Sequence, residues 1–254
     1  MFFVVLTKKR LLIISSIVLA IIVIISILFG TGVVGAFNSN KKRLPIYSVE
    51  REDKKIAISF DCAWGTDYTD SLLNVMQEKD VKCTFFMVEF WTRKYPDFVK
   101  KIDQYGHEIG THSATHPYMS KLDKKTIIKE LESSAKAISD ITNKKVELFR
   151  APYGDYNDRL IQTAEEQGLY TIQWSIDSLD WKDISSDEIV KRVTGKIHSG
   201  AIILFHNQGL NTAKALPTII DRLKSDGYQF VSIGELIYKK NYTILPNGTQ
   251  RQNS

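Results

Sequence analysis

From about residue 55 to residue 237, short apolar runs alternate with longer segments of helical period about seven times. That alternation restricts the chain to an α/β architecture, in which a parallel sheet is covered by helices. The strand-like runs are Ile56–Phe60, Cys83–Val88, Glu108–Gly110, Val146–Phe149, Tyr170–Trp174, Ala201–Phe205 and Gln229–Ile233. Helices are expected near Tyr68–Lys79, Tyr95–Gln104, Lys124–Ile141, Asn157–Gln167, Asp187–Ile197 and Ala213–Ser225. In the third of these, Ile127, Ile128, Leu131, Ala135, Ile138 and Ile141 form one apolar stripe behind a capping Asp123. Gly106, Gly168 and Gly227 each fall just past a helix, where a left-handed residue is often required. A chain of 254 residues built this way folds around one main core, as a sheet closed into a barrel or wound open.

The N-terminus has a different character. Leu11 to Gly30, "LLIISSIVLAIIVIISILFG", carries no charge over twenty positions, enough to span a bilayer as a helix. Lys8, Lys9 and Arg10 precede it and Lys41, Lys42 and Arg43 follow, so local charge does not fix the orientation. A cleaved secretory signal is the rival reading, with Val34-Gly35-Ala36 as the cleavage site, but the run exceeds the roughly 7–15 residues of a signal core. The expected organisation is a short cytoplasmic tail (1–10), a transmembrane anchor or uncleaved signal (11–35), a polar linker (36–53), the folded domain (54–238) and a frayed tail (239–254). The localisation that follows is a single-pass cell-membrane protein with its folded domain on the extracytoplasmic side.

The net charge of +5 is spread between acidic residues, without the basic stripe of a nucleic-acid binder. Two cysteines are too few for a disulfide scaffold. On adjacent parallel strands Cys62 and Cys83 lie near opposite ends, beyond disulfide reach, and Cys83 reads as a small buried hydrophobe.

In α/β folds, chemistry gathers on the loops at the carboxyl ends of the strands. Those ends carry Asp61-Cys62, then His112-Ser113-Ala114-Thr115-His116, then Arg150-Ala151-Pro152-Tyr153-Gly154, then Asp177-Ser178-Leu179-Asp180-Trp181, and His206. His112 and His116, four apart, can converge on a metal, although such a pair alone is a weak signal and two imidazoles need a third donor. Asp61 alone would be a turn residue; within the set it can accept a proton from an attacking water. Arg150 can orient Asp61 and lower its pKa, and the rigid turn at Tyr153 can offer a backbone N–H to a developing oxyanion. His206 is either a capping histidine or the acid that protonates a departing amine, with Asp180 raising its pKa. Trp181 is as suited to stacking on a sugar as to a core, whereas Trp174 reads as core.

With these five segments in hand, the sequence resembles the polysaccharide deacetylase family, carbohydrate esterase family four, over about Ile56 to Ile237. Within it, the chain looks most like membrane-anchored homologues of spore-forming Firmicutes. The resemblance implies a distorted, incomplete (β/α) barrel, a divalent metal, commonly zinc, and removal of N-acetyl groups from peptidoglycan or an N-acetylglucosamine polymer. It assigns Asp61 as base and His206 as acid, with Arg150 and Asp180 supporting them. His112 and His116 match metal ligands, Tyr153 the groove and oxyanion contact, Trp181 the wall of the acetyl pocket, and Leu204 the substrate groove in the segment that carries the acid.

The departure is Cys62, a thiol where the family has a metal-binding aspartate. The thiolate could complete a Cys-His-His zinc site. Alternatively Asp67 or water completes a weak one, or the site stays empty and the domain is a sugar-binding relic. Two functions therefore stand: an exported N-deacetylase of a cell-wall glycan, and a catalytically impaired glycan-binding envelope protein that keeps the fold.

Overall fold

The structure, a computed structural model, describes residues 8–30 and 42–253. The chain falls into two compact units, Met1–Lys42 and Arg43–Ser254. In the first, helix α1 runs over Lys8–Gly30. Its described side chains are continuous only over 12–21, and all of them are exposed, among them Leu12 and Leu19. Among the described residues no helix is long and apolar enough to cross a membrane. The expected cleavage site at Val34-Gly35-Ala36 and most of the expected linker up to residue 41 lie outside the described residues.

The second unit begins with strand β1 (Ser48–Val49) and β2 (Lys55–Cys62), then helix α2 (Thr69–Glu78) and β3 (Thr84–Met87). Helices α3 (Glu89–Lys94) and α4 (Pro96–Gln104) lead to β4 (Glu108–Thr111), and α5 (Lys124–Thr142) to β5 (Leu148–Phe149). Then come α6 (Asp158–Glu166), β6 (Tyr170–Thr171), β7 (Ile176–Asp177), α7 (Ser186–Thr194), β8 (Ile202–His206), α8 (Thr212–Ser225), β9 (Gln229–Phe230), α9 (Ile233–Leu236), and the hairpin β10 (Tyr242–Ile244) and β11 (Thr249–Gln252). The main sheet has the order β6-β5-β4-β3-β2-β8-β7, with β9 on β2, and every pairing in it is parallel. This is the curled, incomplete (β/α) barrel that the resemblance implies, with the parallel sheet expected from the alternation.

Strand β2 is central and buried on both faces, which is why its sequence from Ile56 to Phe60 is apolar except for Ser59, whose hydroxyl donates to Ile203 O. Phe60 stacks on Phe85 at 5.0 Å and packs on Phe205 at 5.7 Å, tying β2, β3 and β8 together at the level just below the strand ends. Helix α5 shows how the stripe is used. Asp123 accepts from Thr126 N at its N-cap, while Ile127, Leu131 and Ile138 are buried in the core. The register Ser59↔Thr84 and Cys62↔Met87 keeps Cys62 and Cys83 at opposite ends of the β2–β3 pair, and both are free thiols.

Three expectations are corrected. The segment expected to be linker up to residue 53 enters the fold: Ile46 and Val49 are buried, Ile46 bridges to Ile172, and Ser48 bridges to Ala201. The C-terminal tail is not frayed, because β11 pairs with both β1 and β10, and Gln250 is fully buried. Both stretches are largely polar, and the pairing of β1 with β11 joins residues about 200 positions apart, which no local pattern carries. Finally, the run Tyr170–Trp174 ends as a strand at Thr171, with β7 following and α3 filling the turn after β3.

Candidate active site

Strand β2 and its neighbour β8 end side by side, with Asp61 paired to His206. Asp61 is 7% exposed. Its Oδ1 accepts from Arg150 Nη1 at 2.8 Å, and its Oδ2 lies 3.5 Å from His112 Nε2. Arg150 is completely buried, with its guanidinium 4.2 Å from the Phe86 ring centre, and its Nη2 donates to Ser59 Oγ and Gln173 O. Burial alone would favour the neutral acid at Asp61. The positive charge and hydrogen bond of Arg150, with His206 behind them, outweigh burial and hold the carboxyl below its ordinary range.

On the other side, Asp180 is buried and its Oδ1 meets His206 Nδ1 at 2.8 Å. Its Oδ2 accepts from the His206 backbone N–H and from Thr212 Oγ1. Burial opposes charging the His206 ring, but the hydrogen bond and charge of Asp180 prevail and raise its pKa above the ordinary histidine value. This pair therefore favours a proton on His206, while Asp61 favours none.

The loop after β4 turns sharply, with Ser113 (φ 71°) and His116 (φ 59°) both left-handed, a strained conformation of the kind that concentrates at functional sites. Glu130 of α5 holds it, accepting from Ala114 N, Thr115 N and Thr115 Oγ1. The two imidazoles are thereby brought to 4.9 Å between ring centres, and His112 Nδ1 is engaged by Arg150 O at 2.8 Å, leaving Nε2 toward Asp61. Burial lowers the pKa of His112 and pushes His116 down to about 4, so both rings are neutral near pH 7, as metal ligands must be. His116 Nδ1 is buried without a hydrogen-bond partner.

A third donor is missing. Cys62 follows Asp61 on the strand, so its side chain takes the opposite face, and it is buried in the apolar cluster of Phe60, Leu72 and Met76. Burial first, and then the charge of Asp61, push its thiol well above the ordinary cysteine value, which keeps it protonated. Asp67 sits on the rim, accepting from Gln208 Nε2 at 3.0 Å. Among the described residues no group of three or more His, Cys, Asp or Glu side chains is arranged to hold a metal ion. The two histidines suit a divalent metal such as zinc, but the residues present do not make the three-ligand site that the resemblance implies.

These groups open onto one cleft of about 530 Å³, lined by Asp61, His112, His116, Tyr153, Trp181, Leu204 and His206, with Trp64, Trp174 and Asn207 completing the wall. Arg150 and Asp180 stand behind it, and Cys62 is outside. Tyr153 is left-handed (φ 60°) and exposed, and Trp181 is exposed while Leu204 is buried. In the second unit the exposed large apolar side chains, Trp64, Phe90, Tyr118, Tyr153, Trp181 and Leu210, all follow strand ends at this face. Sequence reading missed the supports Ser59, Gln173, Thr212 and Glu130. Of these only Glu130 left a signal, a charged residue on the buried face of an otherwise apolar helix stripe.

A polysaccharide deacetylase family model matches residues 48–172. A peptidoglycan-N-acetylglucosamine deacetylase of Bacillus cereus is 34% identical over 77% of this chain and 93% of its own. The uncharacterized protein YlxY of Bacillus subtilis is 35% identical over 76% of this chain, which spans 60% of that relative. The chain spans only 42% of the peptidoglycan-N-acetylglucosamine deacetylase PgdA of Listeria monocytogenes, at 35% identity. Among solved structures, a family-four carbohydrate esterase pseudoenzyme of Bacillus anthracis matches with a TM-score of 0.74 and 34% identity, over 82% of this chain and 73% of that one. A mutant of it described as having restored enzymatic activity matches with a TM-score of 0.74 and 37% identity, over 77% and 72%. The chain belongs to the polysaccharide deacetylase family.

Proposed function

We propose that the second unit receives an N-acetylated cell-wall glycan in this cleft as a deacetylase-type domain whose proton-transfer groups are complete and whose hydrolysis is limited at Cys62. The observation that carries this is the pairing across β2 and β8 of an ionised Asp61 with a proton-favouring His206. Asp61 takes a proton from the water that attacks the acetyl carbon, and His206 gives one to the amine as the C–N bond breaks. Arg150 keeps Asp61 ionised and oriented, and Tyr153 walls the groove where its turn can meet the oxyanion. A divalent metal on His112 and His116 would polarise the acetyl carbonyl, but Cys62 supplies no charged third donor. Likeness to peptidoglycan deacetylases supports the substrate class, and likeness to a pseudoenzyme supports the limitation.

A second reading, glycan binding without turnover, is favoured by the buried, protonated thiol. Acetate release from peptidoglycan fragments by the full-length chain in detergent separates the two. Slow release that disappears in Asp61→Asn is expected. Undiminished release in Asp61→Asn would exclude Asp61 as the base, and tight glycan binding with no release in any metal would leave only the binder.

The uncharged run within α1, with exposed Leu12, Ile13, Ile17 and Leu19, supports an uncleaved membrane anchor that leaves the second unit outside the cell. Full-length chain is expected in the membrane fraction after carbonate washing. Recovery of the chain, shortened at its N-terminus, from the medium would overturn the anchor.

A further inference from the structure

At the other end of the sheet from the cleft lies a second cavity, of about 330 Å³, a size that small ligands occupy. Strands β3, β4 and β5 begin at Thr84, Glu108 and Leu148 and run parallel, and the residues just before those starts, Lys82, His107 and Val146, line the cavity. Helix α5 adds Ile138 to its wall. None of the groups assigned to the cleft reaches it.

His107 is only 4% exposed, and its Nε2 is buried without a hydrogen-bond partner. The hydrogen on this ring can be placed from its surroundings. Cys83 N–H donates to Nδ1 at 3.4 Å, and the Cys83 thiol, kept protonated by burial, lies 3.4 Å from the same atom. Burial first, and then the charge of Lys82, push the ring's pKa down to about 4, so it is neutral near pH 7. Nδ1 is therefore the acceptor, and Nε2, on the side of the ring away from Cys83, carries the hydrogen. A buried N–H with nothing to accept it is costly, so this wall calls for an acceptor and not for a cation.

The charges around it agree. Lys82 gives one hydrogen bond, to Tyr105 O at 2.6 Å, and an ammonium has three to give. Among the described residues Lys82 is in no ion pair. The carboxylates in the lining are turned elsewhere. Asp103 pairs with Lys144, Glu147 pairs with Lys239 and also feels Lys145, and Glu235 is exposed. Glu108 follows His107 on the chain and so takes the opposite face of the strand, where its Oε2 accepts from Thr84 Oγ1 and Gly234 N.

We infer that this cavity is a binding site for a small organic anion, with its carboxylate or phosphate held by His107 Nε2–H and Lys82 Nζ and its apolar body lying on Ile138 and Val146. The site does not rest on the glycan reading of the cleft. The test follows the His107 ring by NMR in the full-length chain in non-ionic detergent, at constant ionic strength, during titration with phenyl phosphate, benzoate, inorganic phosphate and acetate. Phenyl phosphate or benzoate is expected to give a saturable shift at His107 Nε2, and the tighter of the two identifies the head group. Its counterpart without the ring, inorganic phosphate or acetate, is expected to bind at least about fivefold more weakly. Lys82→Gln, at an exposed position that leaves the fold intact, is expected to weaken the tighter probe about fivefold. No saturable shift with any of the four, counterparts that bind as tightly as the ring-bearing probes, or binding unchanged in Lys82→Gln would each overturn the inference.

Discussion

At the residue scale, two carboxylates of similar ordinary pKa have been given different partners. Asp61 is paired with a fully buried guanidinium, and removing one partner of such a pair leaves an uncompensated charge in the core. Arg150→Ala should therefore lower stability by about 3–5 kcal/mol, read as a shift of the urea midpoint; a change under about 1 kcal/mol would mean that water reaches Asp61. Asp180 instead raises its neighbour. Because the His206 pKa is higher folded than unfolded, the stability it contributes is fully present below about pH 6.5 and is lost as pH rises through the folded value. The NMR titration midpoint of His206 is expected above 6.5 in the wild type and lower in Asp180→Asn, where only the charges of Asp61 and Asp177 still oppose burial. A midpoint unmoved by that substitution would remove Asp180 as the cause. These pairings were legible because Asp61, Arg150, Asp180 and His206 each fall at a strand end. The groups that brace them, such as Ser59 under Arg150 and Thr212 under Asp180, were not, since a hydroxyl inside a core strand or at a helix start looks the same whatever it holds.

At the element scale, the alternation of apolar runs and helical stripes carried the main sheet, because each strand and helix buries a face of its own. It could not carry β1, which pairs with β11 across the length of the chain, or the short hairpin of β10 and β11, which has no apolar stripe of its own. Gly200 is the point where this seam is closest. Its φ is +76°, its N–H donates to Lys55 O, and a Cβ there would lie 1.6 Å from Val49 O, the same residue whose N–H donates to Gly200 O. Left-handed strain alone costs roughly 1–3 kcal/mol, and the backbone overlap adds to it. Gly200→Ala should lower the melting temperature and speed amide exchange at Val49, and unchanged exchange at Val49 would show that the seam does not depend on this approach.

At the scale of the whole molecule, an extended N-terminal helix precedes a barrel whose exposed apolar side chains collect around one cleft. Asp61 and His206 face that cleft with Arg150 and Asp180 behind them, whereas Cys62, where the resemblance implies a metal-binding aspartate, does not. That exception was visible in the sequence as a single changed letter, but its consequence was not. A thiol could have reached toward the histidines; the structure shows it packed away with Leu72 and Met76 instead, in a setting that keeps it protonated. A carboxylate at this position would be costly in the apolar cluster and is driven toward polar partners. The most direct measurement is acetate release from peptidoglycan fragments by Cys62→Asp beside the wild type, with zinc present and folding checked by thermal melting. We expect at least about a tenfold increase, equivalent to roughly 1.4 kcal/mol of barrier, together with higher bound zinc. A folded Cys62→Asp protein that releases acetate no faster than the wild type would contradict the claim that Cys62 is what limits this site.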